Sequence, residues 1–151
     1  MTPRTVVFAS DHAGVEFKAA LVAALDGRPG FRAVDLGPMT AERCDYPDYA
    51  GKVARQVVVG EADFGVLICG SGIGMSIAAN KVAGARAALA HNELTGRLAR
   101  QHNDARILCL GSRILGPSLA EATLLAFLDA TFEGGRHADR IAKLHALEVV
   151  P

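Results

Sequence analysis

The sequence predicts a single α/β domain, a three-layer α/β/α sandwich with helices on both faces of a five-stranded parallel sheet. Short apolar runs alternate five times with longer segments of helical periodicity, which is the pattern of repeated strand–helix units. The 151 residues suffice for one hydrophobic core, and no low-complexity stretch or long linker divides them. Half of the residues are hydrophobic but only 5% are aromatic, a composition that suits helices packed closely against a sheet.

Five runs have the composition of buried strands. The predicted strands span residues 4–10, 31–37, 63–69, 85–90 and 105–111. Their alternation with helices predicts parallel pairing through right-handed crossovers, and therefore a Rossmann-like sheet. In such a sheet ligands bind beyond the carboxyl ends of the strands, so the residues that follow each strand are the first candidates for a site.

The helical segments carry start and stop signals. The second opens with a proline after Tyr46 and ends at Gly60, the fourth follows the capping residue Asn92, and the fifth has an early proline, Pro117. The predicted helices span residues 14–25, 46–60, 74–82, 92–103, 116–132 and 136–150.

The stretch Glu133-Gly134-Gly135 is the one break in this pattern. We expect residues 132–151 to form a C-terminal helical arm of a single domain that spans residues 1–151. A short helix beyond two glycines must bury its apolar face, here Ile141, Leu144 and Leu147, and we expect a partner subunit to cover it. The sequence thus predicts a homodimer and leaves open whether dimers pair into tetramers.

Composition and charge argue against several classes of partner and cofactor. Sixteen basic residues balance sixteen acidic ones, which disfavours binding to nucleic acid or to an anionic membrane. No apolar run approaches the roughly 20 residues of a membrane span, and the N-terminus has no signal pattern, so we expect a cytoplasmic protein. The three cysteines form no C-x-x-C pair and the five histidines show no ligand spacing with them, so we expect no metal or other cofactor.

A cysteine ends the third predicted strand, directly before a glycine-rich turn. Cys69 is followed by Gly70-Ser71-Gly72-Ile73-Gly74 and then by a helical segment. Backbone N–H groups at such a turn would bind an anion or a developing oxyanion and would stabilise a thiolate. A small buried cysteine before a tight turn explains the pattern equally well. The G-x-G-x-G spacing, with no acidic residue after the next strand, disfavours a dinucleotide site.

Polar residues also follow the first predicted strand. Asp11 could accept a hydrogen bond from a ligand hydroxyl, although capping of the next helix is the simpler role for it. His12 could bind a phosphate as imidazolium or transfer a proton.

Further candidates lie later in the chain. His102 and Asn103 end the fourth helix, where an imidazolium would also stabilise the helix dipole. Arg113 follows the fifth strand and has the planar donor geometry that suits a phosphate. Arg136 and Arg140 share one face of the last helix and could either reach a phosphate or simply be solvated.

The motifs SDHAG, DYPDYA, CGSGIGMSIAANK, RQHND, LGSR and EGGRHADR occur in this order along nearly the whole chain. In this set the sequence resembles the type B ribose 5-phosphate isomerases, a family that includes the galactose-6-phosphate isomerase subunits. One branch of the family lacks the cysteine and uses a glutamate a few residues on. Position 75 here is Met75, so the chain is similar to the cysteine branch.

The resemblance implies a metal-free aldose–ketose isomerase that works through an enediolate. Cys69 would be the catalytic base, and His102 would donate the proton that opens the sugar ring. Ser71 and the turn from Gly70 to Gly74 would hold the enediolate oxygen. Asp11 would bind a sugar hydroxyl.

The resemblance also implies a substrate site built between two subunits. The expected sugar contacts are Tyr46 and Asn103, and the expected phosphate contacts are His12, Arg113, Arg136 and Arg140. The substrate could be ribose 5-phosphate or another sugar phosphate, such as allose 6-phosphate, galactose 6-phosphate or a four-carbon ketose phosphate. A non-catalytic sugar-phosphate-binding subunit is a further alternative.

Overall fold

The sheet has five parallel strands in the order β2-β1-β3-β5-β4. The computed structural model describes residues 1–148. The strands are β1 (Arg4–Ser10), β2 (Phe31–Asp35), β3 (Phe64–Cys69), β4 (Ala87–Leu89) and β5 (Ile107–Gly111). The chain runs from β1 outward to β2 and then crosses back to β3, so the strand order reverses between β1 and β3. Asp11 and Cys69, at the ends of these two strands, therefore flank the position where such sheets bind ligands.

Within residues 1–148, six α-helices connect and cover the strands. They are α1 (Val15–Leu25), α2 (Tyr46–Val58), α3 (Ile73–Ala79), α4 (Glu93–Asn103), α5 (Pro117–Asp129) and α6 (Arg136–His145). A short 3-10 turn, His12–Gly14, precedes α1. None of the helices within residues 1–148 is long and apolar enough to cross a membrane.

All eleven predicted elements are present, and their bounds differ at the ends. The strand predicted over residues 85–90 is regular only over Ala87–Leu89, although Arg86 and Ala90 also form backbone hydrogen bonds with the β5 segment. At the free edge of the sheet the side chain of Asn80 binds both polar backbone groups of Ala87. The last helix ends at His145 instead of residue 150. Residues 149–151 lie outside the described part of the chain.

Two hydrophobic cores lie on opposite faces of the sheet, as the three-layer prediction requires. Helices α1, α4 and α5 cover one face, where Phe8, Leu108 and Phe127 are fully buried. Helices α2 and α3 cover the other. A Cβ atom on Gly65 would lie 2.5 Å from Cγ1 of Val53, so the absence of a side chain on β3 lets α2 approach the sheet closely.

Helix α6 lies against α4 of its own chain. Its end is tied to the segment before β4, where Arg86 Nη1 contacts His145 Nε2 at 2.6 Å and the N–H of Gly84 donates to Glu148 Oε1 at 2.9 Å. Leu144 and Leu147 remain exposed. Contact between these side chains and a second subunit stays a prediction.

Candidate active site

A cavity of about 330 Å³ opens at the carboxyl ends of β1, β3 and β5. It brings together seven of the predicted site residues, from four separate segments of the chain. The lining residues are Asp11, Tyr46, Cys69, Gly70, Ser71, Gly74, Arg113 and Ile114. Because the strands are parallel, their carboxyl ends meet at one edge of the sheet, and this is the edge where the topology predicts a ligand.

The sulfur of Cys69 accepts a hydrogen bond from the backbone N–H of Gly72 at 3.1 Å. The residue is 5% exposed and ends β3. Gly72 has a φ of +77°, and a Cβ atom there would lie 2.6 Å from Leu89 and 2.9 Å from the backbone of Leu110. Only glycine therefore fits the turn that aims this N–H at the sulfur. Neither Gly72 nor the exposed Ile73 lines the cavity itself.

Two other glycines of the turn are covered by side chains that wall the cavity. A Cβ atom on Gly70 would lie 3.2 Å from the guanidinium of Arg113, whose backbone N–H donates to the Gly70 carbonyl at 2.9 Å. A Cβ atom on Gly74 would lie 2.8 Å from the ring of Tyr46. The missing side chains thus make room for a cation and a phenol beside Cys69.

Asp11 both caps a helical turn and lines the cavity. Its Oδ1 accepts the N–H of Ala13 at 2.9 Å, so the capping interpretation is confirmed, and its residue is 8% exposed at the cavity wall. His12 turns to the loop before α2, where its Nδ1 lies 3.1 Å from the carbonyl oxygen of Cys44 and 3.3 Å from its backbone nitrogen. His12 does not line the cavity, and its phosphate role stays a prediction. Partial burial raises the pKa of the Cys44 thiol.

The remaining predicted residues gather elsewhere. His102, Asn103 and Arg140 line a second cavity of about 260 Å³ between the end of α4 and helix α6. Arg136, the first residue of α6, is exposed and lies outside its lining.

The two groups lie at opposite ends of the strands. The Cys69 group is at the carboxyl edge of the sheet, where the strands end, and the His102 group is at the amino edge, where they begin. Cys69 is in register with Gly111 at the carboxyl end of β5, whereas α4 ends just before β5 begins at Ile107. His102 is thus displaced from Cys69 by at least four residues of strand, about 13 Å. One chain therefore does not bring the predicted base and the predicted ring-opening acid together.

The sequence profile of the ribose/galactose isomerase family matches residues 6–144 of the chain. The chain belongs to this family. It is 46% identical over 145 residues to ribose-5-phosphate isomerase B of Escherichia coli, with 96% of this chain and 97% of that protein covered. The resemblance drawn from the motifs is thereby confirmed.

Solved structures of the ribose/galactose isomerase family share the fold. The type B ribose 5-phosphate isomerase of Trypanosoma brucei superposes with a TM-score of 0.94 at 47% identity, covering 97% of this chain and all of the other. The enzyme of Mycoplasma genitalium, solved with bound ribulose-5-phosphate, superposes with a TM-score of 0.91 at 43% identity and covers 97% of each chain. The predicted fold class is confirmed.

Two residues that lie beside His102 were not predicted as site residues from the sequence. The imidazole of His137 stacks on that of His102, with ring centroids 4.2 Å apart and planes 11° from parallel. The Oε2 atom of Glu133 lies 3.6 Å from Nε2 of His137 and 3.8 Å from Nε2 of His102. Glu133 and His137 are four residues apart, a spacing that could have indicated their contact. The two glycines between them instead predicted a break between two helices.

These three side chains also offer potential metal ligands within 4.8 Å of one another. The lone pairs of the two imidazoles lie in ring planes that are nearly parallel and stacked, so they do not meet at one ion, and the arrangement does not suit a three-ligand metal site. Burial lowers the pKa of His137, and the nearby His102 and Arg136 lower it further, while Glu133 partly offsets these effects.

Proposed function

We propose that this chain is an aldose–ketose isomerase that interconverts ribose 5-phosphate and ribulose 5-phosphate through an enediolate. The observation that carries the proposal is the thiol of Cys69 at the carboxyl edge of the sheet, hydrogen-bonded by the Gly72 N–H and open to a cavity walled by Arg113. The names of the E. coli and M. genitalium relatives support the choice of substrate.

Cys69 acts as the base at carbon. Its thiolate takes the proton from C2 of the open-chain aldose, the C–H electron pair becomes the C1–C2 double bond, and the carbonyl pair moves to O1. Return of the proton to C1, with the O2 hydroxyl proton passing to O1, gives the ketose. A hydrogen bond from the Gly72 N–H stabilises the thiolate that starts this sequence.

Ser71 is oriented to donate to the enediolate. Its Oγ accepts the N–H of Ile73 at 3.2 Å, which leaves the hydroxyl hydrogen free to donate to an oxygen in the cavity. A donor fixed in this way stabilises charge where it develops. Asp11 uses Oδ1 for its cap and keeps Oδ2 to accept a sugar hydroxyl, while Tyr46 lines the sugar pocket.

The phosphate is bound by cations from both groups of residues. Arg113 is the cation on the wall of the Cys69 cavity. His12, in the turn that follows Asp11, is a second phosphate contact in this proposal, and its Nδ1 faces the backbone of Cys44. Arg136 and Arg140 extend from α6, and their exposure leaves them available to a phosphate on another subunit. Binding at the phosphate orients the distant reacting carbons.

The complete site is formed between two copies of the domain 1–151. The separation of Cys69 and His102 across the sheet supports this arrangement, because a twofold axis can bring the amino edge of one protomer to the carboxyl edge of its partner. His102 then opens the sugar ring and Asn103 binds the sugar in the partner's cavity. The C-terminal arm, with exposed Leu144 and Leu147, takes part in the contact.

The test is isomerisation of ribose 5-phosphate by the purified protein with a metal chelator present. Allose 6-phosphate, galactose 6-phosphate and erythrulose 4-phosphate are assayed in parallel. We expect turnover of the pentose to exceed that of the other three. Turnover of only another sugar would change the substrate and leave Cys69 as the base, whereas no turnover of any would contradict the proposal and favour a non-catalytic subunit.

A further inference from the structure

The linker between α5 and α6 is folded onto the end of α4. The backbone N–H of Glu133 donates to the carbonyl of Gln101 at 3.0 Å, in the last turn of α4. Gly134 and Gly135 follow with φ values of +66° and +56°, a conformation that favours glycine, and the N–H of His137 donates to the Gly134 carbonyl at 3.1 Å. This turn brings both Glu133 and His137 to the helix end that carries His102.

The turn buries one histidine against the other. His137 is 6% exposed, although its neighbour Arg136 is solvent-exposed. The imidazole of His137 covers a face of the His102 ring at a centroid distance of 4.2 Å, and the carboxylate of Glu133 faces Nε2 of both rings. Rotation of the His102 ring is therefore limited by a packed neighbour on one side.

The cluster favours a single proton on two imidazoles. A carboxylate within 4 Å stabilises an imidazolium, whereas two stacked imidazolium ions would repel each other. Burial lowers the pKa of His137, and the neighbouring His102, Arg136 and Arg140 lower it further, so this cluster favours the neutral form of that ring. His102, with a side chain 37% exposed, is the more accessible of the two rings.

We propose that Glu133 and His137 are positioning residues for ring opening: His137 fixes the plane of the His102 ring and Glu133 retains the proton that His102 delivers. In this role both residues act through His102, although His137 shares the cavity that His102, Asn103 and Arg140 line. This inference rests on the proposed isomerase function and on the role of His102 within it.

A pair of substrates separates ring opening from proton transfer at carbon. Ribose 5-phosphate closes into a furanose because its C4 hydroxyl is free. In erythrose 4-phosphate the C4 oxygen carries the phosphate, so no furanose forms and the carbon chemistry proceeds without ring opening. A defect of Glu133 or His137 should therefore appear with the first substrate and disappear with the second.

The variants are Glu133→Gln, His137→Ala and His137→Phe, the last of which keeps a flat ring against His102. We expect Glu133→Gln and His137→Ala to lower kcat on ribose 5-phosphate by about 10- to 100-fold, with little change in KM and in activity on erythrose 4-phosphate. His137→Phe should recover most of the loss of His137→Ala. Asp139→Asn, which removes an exposed carboxylate from the same helix, is the matched control and should behave as the parent.

A double-mutant cycle with His102→Asn completes the test. If Glu133 acts through His102, Glu133→Gln costs nothing further once His102 has been replaced. Additive losses in this cycle, or equal losses on the cyclic and acyclic substrates, would overturn the inference. If the unmodified protein did not turn over ribose 5-phosphate, the proposed function would be contradicted instead. If erythrose 4-phosphate is not a substrate, the double-mutant cycle alone tests the inference.

Discussion

The two edges of the sheet hold the two groups of proposed site residues in different ways. At the carboxyl edge, backbone atoms fix the chemistry: the Gly72 N–H bonds the sulfur of Cys69, and glycines make room for the side chains beside it. At the amino edge, side chains hold side chains, with His102 placed by a stacked ring and a carboxylate. Backbone donors cannot rotate away, whereas a ring at a helix end can. The second group therefore depends on its neighbours. In the proposed dimer, each group also depends on the other protomer.

Cys69→Ala is the change with the largest expected effect, because it removes the proposed base from the carboxyl edge. We expect kcat on ribose 5-phosphate to fall by at least about 10³-fold, since a positioned acid or base contributes roughly 10²- to 10⁴-fold and the thiolate is the only base proposed at carbon. Steady-state kinetics measure the loss, and circular dichroism checks that the fold is kept.

Cys109→Ala is the matched control. Cys109 is fully buried in β5, and burial raises the pKa of its thiol, so it is an inert core residue. The variant should lose about 1–2 kcal/mol of stability and keep its turnover. A folded Cys69→Ala protein that isomerised at the parent rate would contradict the assignment of the base.

We also predict that Cys69 and His102 of one active site come from different chains. Cys69→Ala and His102→Asn subunits, co-expressed with different tags and isolated as a mixed dimer, should show about half of the parent activity, because one of the two sites regains both groups. Each homodimeric variant should be nearly inactive on ribose 5-phosphate. A mixed dimer no more active than the two variants would show that the sites are not shared.

The carboxyl edge was predictable from the sequence because its residues follow strands directly. Apolar runs locate β1, β3 and β5, and parallel pairing then brings Asp11, Cys69 and Arg113 to one edge. The amino edge was less predictable. Glu133 and His137 reach His102 through a turn at Gly134 and Gly135, and nothing in the pattern of apolar residues shows where that linker folds back.

The edge strand β4 carries a second contact that was not predictable from the sequence. The run over 85–90 has the composition of a strand, but at the edge of the sheet only one neighbour, β5, offers backbone partners. The amide side chain of Asn80 replaces the missing neighbour at Ala87. A side chain that substitutes for a strand is a tertiary contact, which composition alone does not predict.

Substitutions at two glycines of the turn after Cys69 test how rigid the carboxyl edge is. Gly74→Ala would place a Cβ atom 2.8 Å from the Tyr46 ring and push the phenol out of the proposed sugar pocket. Because Tyr46 is 40% exposed and free to move, we expect KM for ribose 5-phosphate to rise about fivefold while stability changes by less than about 1 kcal/mol. Kinetics and thermal unfolding measure the two effects.

Gly72→Ala provides the contrast. Its φ of +77° and the backbone of Leu110 2.9 Å from the new Cβ atom leave nothing that can yield cheaply. We expect a loss of about 2–4 kcal/mol in stability. Equal stability of the two variants would mean that the turn is not the rigid support described for Cys69.

The smallest expected effect tests the amino edge by pH. Burial and the neighbouring His102 and Arg136 lower the pKa of His137 below its ordinary 6.5, so the unfolded chain binds this proton more readily than the folded one. The stability that neutral His137 contributes is therefore present above pH 6.5 and is lost as the pH falls through the lowered value. His137→Phe should lose less stability than the parent between pH 7.5 and 5.5 in urea unfolding. His91→Gln, which alters an exposed histidine, should keep the parent's pH dependence. If the stability of His137→Phe kept the parent's dependence on pH as well, the stacked pair would not hold one ring neutral. The difference between an edge fixed by backbone atoms and an edge held by coupled side chains would then lose its electrostatic basis.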